Sequence, residues 1–389
     1  MPKKEKKKEE QVVDPATKLD KRKILGSILK PLQKEFGSGV ITTADKARSL
    51  EERWSTGSLT LDYLLGGGLL QGRAVQFKGY DNSGKTSACI TTVANILAQG
   101  GTAAWLKGED FSRPWARKLG LALPPGPDEK DRADDIMAQL GGDTIDPEQF
   151  LFIEGSRAEE LLEIALRLFR SGGLDLLVID SISSLTPQEL LKKEMTDGEM
   201  RLRKAGMNTR LVERIYSGYG LKFDPATGAV TKEDTGGSNS CAIVIINQLR
   251  DRIATMSLPP DALGGWALKY LQRADVLFKS KAVSAGKFPT QKTYGREISI
   301  KTTSCQIAPE GRYGDYLLYT EDWEGKRAGE IDRGLEVLAL ASLHGVVEQA
   351  GSWIIYDNQK YHGKAQFLRL LEDDPAILYD IEAKVREFF

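Results

Sequence analysis

The chain has only three cysteines in 389 residues, Cys89, Cys241 and Cys305. They lie far apart without paired spacing, and two sit in apolar runs. A disulfide framework and a zinc site are therefore not expected, and a reducing cytoplasm is the implied setting. Charge of one sign is also lacking. Lys and Arg number 54 against 55 Asp and Glu, a formal charge of −1, so any basic binding surface must be local. No apolar run approaches the length that spans a bilayer, and the lysines at the N-terminus are not followed by the apolar segment of a signal peptide. No membrane partner is expected.

What is present is ample material for a core, with 41% hydrophobic residues, and a length that predicts one large domain plus a smaller unit. Residues 1–17, opening "MPKKEKKKEEQVVD", form a charged low-complexity tail that cannot bury a core, so disorder is expected there. Within 18–50, "KLDKRKILGSILKPLQKEF" places Ile24, Ile28, Leu29 and Leu32 at helical spacing, with Pro31 as a point of kinking. Such a helix packs either on its own core or on a neighbouring subunit. From Arg73 to Val283, continuous apolar runs ("RAVQFKGY", "TAAWLKGE", "QFLFIEG", "LDLLVIDS", "CAIVIINQ", "ADVLFKS") alternate with helical patterns. That is the signature of a parallel sheet covered on both faces, with function at the carboxyl ends of its strands. Tyr219 to Asn239 interrupts the alternation and reads as a hairpin-like surface insertion. "YGREISIKTTSCQIAP" alternates like antiparallel strands, and 321–389 reads as a small C-terminal α/β unit after a core spanning 51–320. Nothing repeats internally.

The sharpest signal is "GYDNSGKTS", Gly79 to Ser87, which fits G-x-x-x-x-G-K-[ST] between a predicted strand and a predicted helix. Gly79 and Gly84 let the backbone curl, so that amides of Tyr80, Asp81, Asn82, Ser83, Lys85, Thr86 and Ser87 can face phosphate oxygens at the positive end of the helix. Lys85 would reach the β- and γ-phosphates, and Thr86 would offer a hydroxyl to Mg²⁺. A nucleoside triphosphate is the expected ligand. Asp180, ending a buried strand, reads as a Mg²⁺ partner acting through water, beside the alternative that it merely caps the strand. Glu109 follows "TAAWLKG". It is either a solvated loop residue or a carboxylate able to orient an attacking water.

"STGSLTLDYLLGGGLLQGR", "GYDNSGKTS", "GEDFSRPWARKLG", "LDLLVIDSISSLTP", "INQLRDRI", "GGWALKY" and "GSWIIYDNQKYHGKAQFLRLLEDDP" occur in the order seen in the RecA-family recombinases of bacteria and bacteriophages, which the chain resembles from about Lys21 onward. The resemblance implies a RecA-type P-loop ATPase core with a mostly parallel central sheet, an N-terminal oligomerisation helix and a small C-terminal α/β domain. It implies an ATP- and Mg²⁺-dependent helical homo-oligomer on single-stranded DNA that pairs with double-stranded DNA in recombination, repair and the SOS response to DNA damage. Residue by residue, it makes Glu109 the catalytic glutamate and Gln248 the sensor of the γ-phosphate at the root of a DNA-binding loop. It puts Trp115 where the adenine is stacked, the alternative being an ordinary buried tryptophan. A first DNA loop falls in "KKEMTDGEMRLRKAGMNTR", with Met200, Arg201, Arg203 and Arg210, any of these arginines being equally readable as a solvated helix face. A second loop contains Arg250, Arg252 and Met256, where two charges can meet the backbone and a flexible methionine can wedge between bases.

The sequence also departs from the family. Two lysines that the resemblance leads one to expect just before Ile307 and Ala308, and that would reach a neighbour's ATP, are replaced by Ser304 and Gln306. Strand alternation places Lys301 on the opposite face from Ser304, so Lys269 or a bound monovalent cation is the expected substitute. Ser257 and Leu258 stand where an aromatic usually follows the methionine of the second loop. The chain stops at "KVREFF" rather than in an acidic tail, which implies less restraint on duplex binding. Competing readings are a ring-helicase-like RecA-core ATPase and a nucleotide-gated DNA scaffold with little turnover. A small-molecule kinase is the weakest, since no acceptor pocket is suggested.

Overall fold

A computed structural model describes residues 15–36, 52–187, 197–218, 240–250, 261–262, 268, 271–287 and 290–389. The Tyr219–Asn239 insertion and the 1–14 part of the tail fall outside them. The predicted strands all form: β3 (Ala74–Gly79), β4 (Ala103–Lys107), β5 (Phe150–Ile153), β6 (Leu176–Asp180), β7 (Ala242–Arg250) and β9 (Gln272–Ala285), after the short β1 (Arg53–Trp54) and β2 (Leu69–Leu70). Together with β8 (Asp261–Ala262), β10 (Lys292–Cys305) and β11 (Tyr313–Tyr319) they build one sheet in the order β11-β10-β9-β3-β7-β6-β4-β5, β8 pairing with β7 and β1 with β2 apart. Pairing is parallel from β9 to β5 and antiparallel among β9, β10 and β11.

The continuous apolar character of the central strands follows from double coverage. Successive residues alternate between two buried clusters: Ala103 and Trp105, Leu176 and Val178, Ala242 and Val244 enter one, while Ala104 and Leu106, Leu177 and Ile179, Ile243 and Ile245 enter the other. On the first face lies α3 (Lys85–Ala98), burying Cys89, Val93 and Ile96. On the second lie α6 (Ala158–Ser171) and α7 (Asp197–Gly218). The apolar spacing of Leu161, Leu162, Ala165, Leu166 and Phe169 gives α6 one buried stripe, and Gly172, at φ +72, ends it in a left-handed turn.

The alternation expected along "KTTSCQIAP" breaks. Lys301 pairs with Leu277 and Ser304 with Asp275, with an irregularity between Thr302 and Ser304. Three residues of β10 thus span two of β9, and the bulge puts Lys301 and Ser304 on the same face, correcting the expectation from simple period two. Helix α1 (Pro15–Phe36) covers the predicted amphipathic segment and leaves Ile24, Leu25 and Ile28 exposed at 57, 69 and 48%.

The C-terminal part is an antiparallel sheet of β12 (Glu348–Ala350), β13 (Trp353–Tyr356) and β14 (Gln359–His362), with α8 (Arg333–Leu343), α9 (Gly363–Asp373) and α10 (Pro375–Arg386). Val337, Phe367, Ile381 and Val385 of these helices bury in the same cluster as Leu59, Leu61 and Leu64 of α2 (Leu59–Leu64). The polar tie is Glu336, fully buried in α8. Its carboxylate accepts from Ser58 Oγ (2.5 Å), Leu59 N (3.2 Å) and Thr60 N (3.0 Å), satisfying the amides that open α2. Arg333 contacts the same carboxylate at 3.4 Å and is itself fixed by Glu382.

Removing the acceptor strands buried donors, whereas an amide retains one oxygen. Glu336→Leu should therefore lower unfolding stability in urea by about 3 kcal/mol, and Glu336→Gln by markedly less. Equal losses for the two variants would contradict this account of the contact.

Candidate functional site

The phosphate loop leaves β3 at Gly79 and enters α3 at Lys85. Gly84 caps the helix at φ +98, and a Cβ there would meet Ile298 Cδ1 at 2.8 Å. A Cβ on Gly79 would lie 2.5 Å from both Phe278 O and Ser83 Oγ, so Gly79 is required by space and Gly84 by its positive φ. Asn82 takes φ +58, which its short polar side chain tolerates, and its carbonyl accepts from Ser280 Oγ at 2.7 Å. Tyr80 and Asp81 stand exposed on the loop while Ser83 is buried.

Lys85 is buried beneath the loop. Its Nζ donates to Gly79 O (3.0 Å), Tyr80 O (2.7 Å) and Ser83 Oγ (3.1 Å). Burial lowers its pKa, against the opposing pull of Asp81, Asp180 and Glu109. Thr86 Oγ1 donates to Asp180 Oδ2 at 3.1 Å. The other oxygen, Asp180 Oδ1, is buried without a hydrogen-bond partner. Burial, then the Glu109 charge, push the Asp180 carboxyl up to about 7, while the Thr86 bond and Lys85 act downward. An orphaned carboxylate oxygen beside a loop hydroxyl suits a divalent cation. Among the described residues no cluster of three His, Cys, Asp or Glu side chains encloses a metal, so such an ion would share its ligands with substrate phosphates and water.

Glu109 lies just past β4, half-buried. Its Oε1 accepts from Gln248 Nε2 at 2.9 Å and from Ser181 Oγ. These residues come from three adjacent strand ends, β7, β6 and β4. Gly108 makes the approach possible, since its N–H donates to Asp180 O at 2.6 Å and a Cβ there would lie 2.3 Å from Ser184 Oγ. Glu109 also faces an open cleft lined by Lys107, Asp110 and Glu154. Trp115, on α4 (Arg113–Lys118), donates from Nε1 to Ser87 Oγ at 3.0 Å, which pins the indole beside the start of α3.

Of the expected DNA-contacting residues, Met200, Arg201, Arg203 and Arg210 lie on α7, with Arg210 exposed, and Arg250 ends β7 paired with Asp261. Arg252, Met256 and Lys269 lie outside the described residues. Two contacts were missed from sequence. Ser181 is one, its only signal being its place directly after Asp180 at a strand end. Lys204 is the other. Its Nζ donates to Ser183 O at 2.9 Å, tying α7 to the turn that carries Ser181. The Asp180–Ser181 peptide is cis.

Comparison with known proteins gives the family. The family model of the RecA N-terminal domain matches residues 23–146 and 128–322. Protein RecA of Chloroherpeton thalassium is 32% identical over 374 residues, covering 95% of this chain and 90% of that protein. Protein RecA of Acinetobacter baylyi is 31% identical over 376 residues, covering 95% and 92%, and that of Parvibaculum lavamentivorans is 32% identical over 374 residues, covering 94% and 88%. Similarity that runs nearly end to end, together with a phosphate loop whose lysine, threonine and partner aspartate converge with Glu109 and Gln248, leads to one conclusion: the chain belongs to the RecA family.

Proposed function

We propose that the chain is an ATP-dependent recombinase that assembles as a helical filament on single-stranded DNA and exchanges strands with homologous double-stranded DNA in repair. The observation that carries the reading is the 2.9 Å hydrogen bond from Gln248 to Glu109, because it joins the water-activating carboxylate to the root of a DNA-binding loop.

In the proposed reaction, the loop amides and Lys85 bind the β- and γ-phosphates, and Trp115 stacks on the adenine. Thr86 and Asp180 would hold Mg²⁺, which when bound neutralises phosphate charge. Glu109 accepts a proton as water attacks the γ-phosphorus and the bond to the β-phosphate oxygen breaks, giving ADP and phosphate. With ATP bound, Gln248 exchanges its Glu109 contact for the γ-phosphate. This frees the carboxylate and re-aims the segment after β7, so that nucleotide state and DNA grip change together. Arg250 at the end of β7 with Arg252 and Met256 after it, and Met200, Arg201, Arg203 and Arg210 on α7, meet the DNA.

The proposed division is a charged tail at 1–17, an oligomerisation segment at 18–50, the core at 51–320 and a C-terminal unit at 321–389. Exposed Ile24, Leu25 and Ile28 on α1 support docking of that helix on a neighbouring copy. No helix among the described residues is long and apolar enough to cross a membrane, and the cytoplasm is the proposed location. A monovalent cation or Lys269 remains a proposed source of charge between subunits, testable by hydrolysis in potassium, sodium and choline salts at equal ionic strength.

Two substitutions separate the roles. Gln248→Ala should bind ATP normally and lose the ATP-dependent gain in affinity for single-stranded DNA, measured by fluorescence anisotropy; an unchanged gain would sink the switch. Glu109→Gln should reduce DNA-stimulated turnover by about a hundredfold or more while ATP still promotes DNA binding. Turnover within a few-fold of wild type would remove Glu109 from the chemistry.

A further inference from the structure

Arg273 is near the start of β9, level with the first residues of β3. The phosphate loop begins at the other end of β3, at Gly79, which pairs with Phe278. About 15 Å of strand separates the two levels, so Arg273 is poorly placed to serve the nucleotide of its own chain. Its conformation is nevertheless specified. Nη1 donates to Gln306 Oε1 at 2.5 Å, and the Arg273 carbonyl accepts from Gln306 N at 2.7 Å. The same residue thus fixes both the backbone and the guanidinium.

No carboxylate pairs with Arg273 among the described residues. At the same end of the sheet, Arg53 donates to the carbonyls of Leu65, Gly68 and Ile307, and Arg73 to that of Gly72. These are cations held by neutral acceptors. At the opposite end, where the phosphate loop also lies, a cleft past β4 and β5 is lined by Glu109, Asp110 and Glu154 against Lys107. A partly exposed guanidinium without a carboxylate partner among the described residues at one end, and carboxylates with a phosphate site at the other, are complementary between successive copies related head to tail.

We infer that Arg273 of one copy, oriented by Gln306, completes the nucleotide site of the next copy in the assembly. This rests on the ATPase filament proposed above. Arg273 forms no covalent bond. Its fixed fork stabilises negative charge on the γ-phosphoryl oxygens as water adds and ADP leaves, with Glu109 of the acting copy taking the proton. Gln306 is a positioning residue. The assignment also explains why Ser304 and Gln306 can stand where lysines were expected. In this assignment the cation comes from the adjacent strand in place of Lys269 or a monovalent ion, and Gln306 is its holder.

Tandem fusions of two full chains test this. Lys85→Arg silences the nucleotide site of a copy, and Arg273→Ala removes its outgoing cation. With Lys85→Arg in one half and Arg273→Ala in the other, the functional site faces an intact Arg273, so DNA-stimulated ATP hydrolysis should be about half that of the unmodified tandem. With both changes in one half, the intact site faces the missing arginine and the rate should fall by about a hundredfold. An arginine acting only within its own chain predicts the reverse order, and that outcome would overturn the inference. So would the expected order being produced by Lys301→Ala in place of Arg273→Ala. An unmodified tandem without DNA-stimulated hydrolysis would instead refute the ATPase reading beneath it.

Discussion

Parallel hydrogen bonding between β4, β6 and β7 is the constraint on which the nucleotide end of the molecule depends. Lys107 lies opposite Asp180 and Ile179 opposite Ile245, so β4 and β6 finish at the same level and β7 runs on past them. Within three residues of these pairs, Glu109, Ser181 and Gln248 meet through direct side-chain hydrogen bonds. A slip of one residue in any of these strands would invert its apolar alternation between two filled cores, and that cost holds the register. Packing and active-site geometry are thus one specification. The apolar runs that make the sheet fold also set the positions of the polar residues that end it.

The same burial creates electrical strain at the phosphate loop. Lys85 and the Asp180 carboxyl sit in a poorly hydrated space, one shifted downward in pKa and the other up to about 7, each chiefly by desolvation. Lys85 is provisioned by loop carbonyls, which phosphate oxygens can replace. Asp180 keeps one oxygen without a donor. Both groups are better satisfied by a polyanion with a divalent cation than by the protein alone, as expected of a preorganised site that carries local cost in exchange for binding. Trp115 and Ser87 show the complementary device, a rigid apolar face held in position by one hydrogen bond.

The parts legible in the sequence were those whose chemistry is local. A glycine-rich loop between a strand and a helix announces phosphate binding, and unbroken apolar runs announce doubly covered strands. Glu109 and Asp180 were visible as carboxylates at strand ends, although the family resemblance was needed to give Glu109 its role. Contacts that depend on long-range register were hidden. The face of Lys301 was misread because a bulge shifts the phase of β10, and nothing in "KTTSCQIAP" marks that extra residue. Glu336 stands 278 positions from Ser58, and nothing in the helical pattern around it marks a partner at that distance. Arg273 and Gln306, 33 residues apart, meet only because β9 and β10 fold back on one another.

Polar contacts across long sequence separations also explain how a C-terminal unit with its own small sheet remains mechanically joined to the core. Apolar burial between α2 and the C-terminal helices is adaptable and by itself would permit sliding. Glu336 removes that freedom, since its two oxygens must meet the amides at the start of one particular helix. Asp62 reinforces the same short helix. It is fully buried, accepts from Ser55 Oγ at 2.6 Å and from Thr56 N and Oγ1 at 2.7 Å, and faces Arg386 of α10 at 3.5 Å. Burial raises its carboxyl pKa despite those bonds, so Asp62 contributes orientation more than net stability. The start of α2 is therefore fixed from both directions. A displacement of the C-terminal helices would be transmitted to the segment from Ser55 to Leu64, and through the Asn95 amide, which donates to Ser55 O at 2.8 Å, to the helix that begins at the phosphate loop.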